Sequence, residues 1–162
     1  MSQTTSSGPR MNRVVGDFSA EATGGQTVRL KDLRGQNVVL YFYPKDSTPG
    51  CTTEGRDFSA LHNKFRRQNT VIYGVSRDSI ASHEKFKAKQ GFKFDLISDP
   101  DEKLCRKFDV IREKNLYGRK FMGVVRSTFL IDTDGKLRAE WRNVKVKGHA
   151  DSVYDAVAGL SS

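Results

Sequence analysis

Residues 38–54 read Val-Val-Leu-Tyr-Phe-Tyr-Pro-Lys-Asp-Ser-Thr-Pro-Gly-Cys-Thr-Thr-Glu, and the organisation of the whole chain is best understood from this segment. Residues 38–43 form a continuous run of β-branched, aliphatic and aromatic side chains without polar alternation. Such a run predicts a strand buried on both faces, as at the centre of an α/β sheet. Pro44 ends the strand, because proline has no N–H to donate to a neighbouring strand.

A cysteine stands where this strand gives way to a helix. A loop containing Pro49 and Gly50 leads to Cys51, and residues 52–54 are predicted to open the helix. The first turn of a helix has unpaired N–H groups and a partial positive charge, which favour a thiolate over a thiol. The hydroxyl of Thr48 can donate to and accept from an incoming oxygen. Cys51 is therefore a candidate nucleophile, with a buried structural cysteine as the alternative.

The segment also resembles a known family. Pro44-x-x-x-Thr48-x-x-Cys51 is the active-site pattern of the peroxiredoxins, and residues 41–54 closely resemble their bacterioferritin comigratory protein, or peroxiredoxin Q, subfamily. The similarity extends from about residue 14 to residue 160, through Gly16-Asp17-Phe18, Ser98-Asp99-Pro100, residues 123–132 and residues 145–149. It implies an α/β, thioredoxin-like fold with a central mixed sheet flanked by helices and an N-terminal hairpin. It also implies a thiol peroxidase.

The resemblance implies a role for each candidate residue around Cys51. Arg126 matches the arginine that stabilises the thiolate and, with Thr48, binds the peroxide oxygens; a guanidinium suits this because it stays charged and carries several donors in one plane. Glu54 matches the acid that orients this arginine, and Pro44 shields the site. From the residues alone, Arg126 could equally be a surface charge and Glu54 an acid that complements the helix dipole.

The second thiol of the reaction is the point at which this chain departs from much of the subfamily. Position 56, where many members carry a resolving cysteine, is Arg56, and residues 80–90 contain no cysteine. Cys105 is the remaining candidate, but its neighbours Leu104 and Phe108 favour a buried structural residue. The chain therefore resembles a one-cysteine enzyme that is recycled by an external thiol, namely glutathione or a thioredoxin- or glutaredoxin-type protein.

Composition limits the remaining classes of protein. The 162 residues are 36% hydrophobic, which suits one domain; we predict a disordered tail over residues 1–12 and a peroxiredoxin domain over residues 13–162. The net charge of +9 comes from scattered cations with acids between them, so a solvated surface is favoured over a nucleic-acid partner. No run is long enough to span a bilayer, and no membrane partner is predicted.

Other expectations concern metals, cofactors and location. His62, His83 and His149 are not at metal-ligand spacings, so no metal site is predicted, and the family chemistry needs no haem or flavin. Two cysteines are too few for a disulfide framework, which favours a reducing compartment, the cytoplasm. The resemblance implies a monomer.

Two alternative functions remain open at this stage. A thioredoxin-fold disulfide reductase normally uses a C-x-x-C motif, and here Glu54 occupies the position of the second cysteine. A basic nucleic-acid-binding protein would bind in a strongly salt-dependent way.

The pattern along the chain predicts alternating strands and helices. Expected strands are residues 14–18, 27–30, 38–43, 71–75, 94–97, 124–131 and 137–142. Expected helices run from Cys51 to about residue 68, from the Ser76–Ser79 region to residue 89, briefly after residues 98–101, and over 149–160. Residues 114–123 are polar and contain glycine, and they are predicted to be a loop.

Overall fold

The computed structural model describes residues 8–160 and, within them, nine strands and five α-helices, besides two short 3₁₀ helices. The strands are β1 Ser19–Ala22, β2 Gln26–Arg29, β3 Asn37–Phe42, β4 Thr70–Ser76, β5 Asp95–Ser98, β6 Ile111–Leu116, β7 Arg119–Val124, β8 Ser127–Ile131 and β9 Leu137–Trp141. The helices are α1 Pro49–Ala60, α2 His62–Arg67, α3 Ile80–Gln90, α4 Lys103–Lys107 and α5 His149–Leu160.

Seven of these described strands form one mixed sheet in the order β2-β1-β5-β4-β3-β8-β9. Strands β3, β4 and β5 run parallel, whereas β8 pairs antiparallel with β3 and β1 pairs antiparallel with β5. Strands β1 and β2 form the N-terminal hairpin at one edge. This arrangement confirms the predicted α/β class, with a central mixed sheet flanked by helices.

The central position of β3 explains its unbroken apolar sequence. All six of its residues are buried, because β4 and β8 pair with it on either side and helices cover both faces. Successive side chains alternate between the two faces. Leu40 and Phe42 enter a core that includes Cys105, here called the α4-side core, and Val39 and Tyr41 enter a core that includes Cys51, here called the α1-side core.

Two predicted elements have different boundaries in the structure. The helix expected from Cys51 to residue 68 begins earlier, at Pro49, and is divided at Leu61 into α1 and α2. The prediction of a first strand over residues 14–18 is wrong: Val14 makes only an isolated bridge to Lys136, and the first strand is β1, Ser19–Ala22. Val15 is buried here without belonging to a strand, whereas Val14 is exposed.

The loop predicted over residues 114–123 is wrong, because this segment is a β-hairpin. Strands β6 and β7 pair antiparallel from Ile111 opposite Val124 to Leu116 opposite Arg119. Tyr117 and Gly118 join them with φ of 53° and 78°, the backbone that a tight two-residue turn requires. The signal was weak because most of the hairpin's side chains are exposed, so no face shows a buried apolar period.

The strand predicted over residues 124–131 is interrupted. Strand β7 ends at Val124 and β8 begins at Ser127, so Arg126 lies in the short connection between them. Other predicted elements are confirmed. Ser79 caps α3 by accepting from the Ser82 N–H, and Gly91, with φ of 70°, ends that helix.

The predicted tail lies mainly outside the described residues. Residues 1–7 of the tail are not described, and its disorder stays a prediction. Asn12 donates its N–H to the carbonyl of Leu137 at 2.7 Å, so the chain already contacts β9 one residue before the predicted domain boundary. Among residues 8–160, no helix combines the length and the apolar character needed to cross a membrane.

Candidate active site

Cys51 lies in the first turn of α1. Thr48 precedes the helix with extended backbone, φ −82° and ψ 153°, and Pro49 is its first residue, so Cys51 is the third. Proline suits that position because its missing N–H would have no partner there. The Cys51 side chain is buried, with 2% of its surface exposed, at the edge of the α1-side core. The unpaired N–H groups of this turn favour negative charge on the sulfur.

Arg126, which is 75 residues from Cys51 in the sequence, contacts this sulfur. Its Nη2 lies 3.4 Å from Cys51 Sγ, and its Nη1 donates to Glu54 Oε1 at 2.6 Å. One planar guanidinium therefore contacts the sulfur and the carboxylate together. Gly50 leaves the space for it, since a Cβ there would lie 3.1 Å from Arg126 Nη2.

The pKa values of Glu54 and Arg126 depend on burial and on the charges around them. Burial raises the pKa of Glu54 to about 7, although the neighbouring Arg126 lowers it. Glu54 Oε2 is buried and has no hydrogen-bond partner among residues 8–160. Burial opposes the charge of Arg126, but Glu54 and Cys51 outweigh it and raise the pKa of the guanidinium. Arg126 thus stays cationic beside the sulfur.

Thr48 and Pro44 complete the set of residues predicted from the sequence. Thr48 is half-buried one turn before Cys51, and its hydroxyl donates to the carbonyl of Lys45 at 2.8 Å. Its carbonyl in turn accepts from the Thr52 N–H at 2.9 Å, which ties the loop to the helix. Pro44 is half-buried in a bend that begins two residues after β3 ends. Of the five predicted residues, Cys51, Glu54 and Arg126 are joined by direct contacts, and Thr48 and Pro44 lie in the loop that leads to Cys51.

Comparison with known proteins identifies the family. The AhpC/TSA family matches residues 11–140. The chain belongs to the AhpC/TSA family. Among its relatives, Peroxiredoxin Bcp of Xanthomonas campestris is 55% identical over 141 residues, which cover 87% of this chain and 88% of the relative.

Solved structures of peroxiredoxins support the same assignment within the AhpC/TSA family. A PrxQ mutant from Xylella fastidiosa superposes with a TM-score of 0.91 at 42% identity, covering 95% of this chain and 98% of that one. The bacterioferritin comigratory protein of X. campestris, studied for alkyl peroxide reduction, has a TM-score of 0.86 at 52% identity, covering 90% and 92%. The predicted subfamily is confirmed, and the protein is a thiol-dependent peroxidase.

A buried polar network centred on Asp46, in the loop between β3 and α1, is not predicted from the sequence. Asp46 accepts hydrogen bonds from the Tyr43 hydroxyl at 2.7 Å and the Ser82 hydroxyl at 2.8 Å, and its Oδ2 lies 2.7 Å from His83 Nδ1. His83 Nε2 lies 2.8 Å from the carbonyl oxygen of Ile97, so both ring nitrogens have a hydrogen-bond partner. Burial opposes the charge of Asp46, but the bonds from His83 and Tyr43 lower its pKa.

This network bears on the prediction that the chain has no metal site. Ligand atoms of Asp46, Asp78 and His83 lie within 4.8 Å of one another. They are already engaged: His83 contacts Asp46, and Asp78 accepts from the Asp46 N–H at 2.9 Å. The sequence could not reveal the cluster, because 37 residues separate Asp46 from His83. The absence of a metal stays a prediction.

Lys114 is a second residue that the sequence did not single out, since it was assigned to a loop. Its Nζ donates to the carbonyl of Val124 at 2.6 Å. Burial, together with the nearby cations Arg126 and Arg77, lowers the pKa of Lys114, and Cys51 has the opposite effect. Strand β6 therefore places a half-buried ammonium group within electrostatic reach of the sulfur.

Cys105 lies away from this site. It is fully buried in the α4-side core, whereas Cys51 belongs to the α1-side core, so the large sheet stands between the two thiols. Burial, with Asp99 close by, raises the pKa of Cys105 well above that of an ordinary thiol. The sequence favours a structural role for Cys105, and that role stays a prediction.

Proposed function

We propose that Cys51 is the nucleophile with which this peroxidase attacks hydrogen peroxide and organic hydroperoxides. The observation that carries the proposal is the position of Cys51 Sγ, 3.4 Å from the Arg126 guanidinium and in the first turn of α1. Both features favour the thiolate. The alkyl peroxide reduction studied in the X. campestris protein supports organic hydroperoxides as substrates here.

The proposed chemical step is a displacement on oxygen. The Cys51 thiolate attacks the terminal peroxide oxygen, an S–O bond forms and the O–O bond breaks. The sulfur is oxidised to a sulfenic acid, and the departing alkoxide or hydroxide takes a proton from solvent to become alcohol or water. Arg126 and the Thr48 hydroxyl stabilise the charge that develops on the two oxygens. Glu54 orients Arg126, and Pro44 shields the site and shapes the loop.

Recycling is proposed to use an external thiol. This thiol attacks the sulfenic sulfur and releases water, and a second thiol then reduces the resulting mixed disulfide. Glutathione or a thioredoxin- or glutaredoxin-type protein fits, because the sheet separates Cys105 from Cys51. We further propose that the enzyme acts as a monomer in the cytoplasm, where such thiols are kept reduced.

Substitution of each cysteine in turn tests the assignment. Cys51→Ser should abolish peroxide consumption with dithiothreitol as reductant, since a hydroxyl cannot replace a thiolate. Cys105→Ser, the matched control, should keep the wild-type initial rate. Residual peroxidase activity in Cys51→Ser, with normal circular dichroism, would overturn the assignment of the nucleophile.

A further inference from the structure

The β6–β7 hairpin carries most of the exposed large hydrophobic side chains among residues 8–160. Among the described residues, six large hydrophobic side chains are exposed, and four of the six belong to this hairpin. They are Leu116, Tyr117, Phe121 and Met122. Tyr117, at the turn, is 97% exposed. Apolar groups grouped in this way mark an interaction surface more often than scattered ones do.

The same hairpin tip is positively charged. Arg119 and Lys120 follow the turn directly, both are exposed, and neither has an ion-pair partner among the described residues. Arg112, nearer the base, is by contrast paired with Asp109 at 2.8 Å. Glu113 is the only acidic residue between positions 111 and 124. The tip, defined as residues 116–121, thus combines apolar side chains with two unneutralised cations.

The apolar side chains occupy both faces of the ribbon. Leu116 pairs with Arg119 and Lys114 pairs with Phe121, so these four share one face. Met122 pairs with Glu113 on the other face. One flat protein surface cannot cover both faces and the turn together. By contrast, when the tip inserts into a layer of lipid headgroups, the layer surrounds both faces and the turn.

We propose that the tip of this hairpin binds the surface of an anionic phospholipid bilayer. Tyrosine favours the membrane interface, leucine and phenylalanine enter the acyl boundary, and Arg119 and Lys120 match the lipid phosphates. A second copy of this chain is disfavoured as the occupant, because both tips and both chains, at +9 each, are positive. This proposal departs from the prediction, made from the sequence, that the protein has no membrane partner.

The position of the hairpin indicates which class of substrate the membrane-bound enzyme would meet. Lys114 shares a face with Leu116 and Phe121, and its Nζ donates to the carbonyl of Val124, two residues before Arg126, so this face borders the site. A hydroperoxyl group is polar and draws a peroxidised acyl chain toward the interface. Phospholipid hydroperoxides are therefore the substrates that docking would present. This part rests on the proposed role of Cys51, and the reaction step is unchanged.

Vesicle co-sedimentation tests the docking without any catalysis. The probes are vesicles of equimolar phosphatidylcholine and phosphatidylglycerol, and vesicles of phosphatidylcholine alone. We expect wild type to sediment with the anionic vesicles. Arg119→Gln with Lys120→Gln, and Leu116→Ser with Tyr117→Ser, should each bind at least about tenfold more weakly. The control pair Arg66→Gln with Arg67→Gln removes the same charge from the exposed end of α2 and should bind as wild type does.

Three further measurements separate docking from peroxidase chemistry. Cys51→Ser should bind vesicles as wild type does, whatever the outcome for the nucleophile. The Arg119→Gln, Lys120→Gln variant should keep the wild-type rate with hydrogen peroxide and lose rate only with a phospholipid hydroperoxide in vesicles. The emission of a Tyr117→Trp variant should shift to shorter wavelength on binding and be quenched by brominated lipids.

Several outcomes would overturn the docking proposal. Wild-type protein that stays in the supernatant with anionic vesicles at low salt would do so. An equal loss of binding in the α2 control pair would show diffuse attraction to a basic protein rather than a site. Tip-dependent binding to an acidic thioredoxin-type protein, without any to vesicles, would assign the surface to a protein partner instead.

Discussion

At the scale of single residues, Arg126 is the cation that lies beside the reactive sulfur. One guanidinium contacts both the Cys51 sulfur and the Glu54 carboxylate. Its planar fork makes this double contact possible, whereas a lysine ammonium is a single point charge on a flexible stem. The geometry of the fork, as well as its charge, is therefore expected to matter for the rate.

The substitution Arg126→Lys separates charge from geometry. We expect kcat/KM for hydrogen peroxide to fall by about 10²–10³-fold, as when one preorganised donor to a developing oxyanion is lost. Stopped-flow measurement of peroxide consumption gives the value. Arg138→Lys, which alters a surface ion pair with Asp132, is the control and should change the rate less than about twofold. A wild-type rate for Arg126→Lys would contradict the role of the fork.

Glu54 should leave a signature in the dependence of stability on pH. Its pKa is about 7 in the folded protein and near 4.5 in the unfolded chain, so the folded state binds its proton more tightly. The stability that this proton contributes is complete below pH 4.5 and is lost as the pH rises through 7. Urea unfolding of Glu54→Gln should show a smaller decline over this range than wild type. Parallel profiles of the two proteins would contradict a raised pKa.

Individual elements differed in how readily the sequence revealed them. Strand β3 and helix α3 were predictable because their signals are local: a continuous apolar run, and Ser79 and Gly91 at the two ends. The β6–β7 hairpin was missed because its residues are largely exposed, and the turn at Tyr117 and Gly118 lacks the usual asparagine or aspartate. Exposure removes the periodic pattern from which a strand is recognised.

The packing of α1 against the sheet depends on one glycine. A Cβ at Gly55 would lie 2.4 Å from the Phe92 ring, so Gly55→Ala should lower the free energy of unfolding by about 1–3 kcal/mol. Gly159→Ala is the matched control in α5, where the same methyl group meets nothing within 4 Å. It should raise stability by about 0.5 kcal/mol, because alanine restricts the unfolded chain. Equal effects in urea titrations would contradict the close approach.

At the scale of the whole molecule, the large sheet separates the core that contains Cys51 from the core that contains Cys105. The motif around Cys51 could be predicted because Thr48, Cys51 and Glu54 lie within seven residues. Arg126 was reached only through the family resemblance, since 75 residues separate it from Cys51 and only the fold brings them together. The placement of Cys105 on the opposite side of the sheet likewise depends on topology. Local sequence cannot carry that information.

Oxidation products should reflect this division. One equivalent of hydrogen peroxide should add one oxygen to both wild type and Cys105→Ser, trapped by dimedone as an adduct on Cys51. Intact mass spectrometry distinguishes this from a disulfide, which would lower the wild-type mass by two hydrogens. Such a loss in wild type, absent from Cys105→Ser, would show that the two thiols meet and that the native sheet opens during turnover.

The base of the β6–β7 hairpin is fastened independently of its tip. Ile111 and Val124 are buried in the α4-side core, and Val125 donates its N–H to the carbonyl of Val110 at 2.8 Å. Changes at the turn are therefore insulated from Arg126, which follows this anchor directly. An engineer could splice an epitope or a fluorescent reporter between Tyr117 and Gly118 and retain the chemistry, turning the enzyme into a peroxide probe addressed to a chosen location.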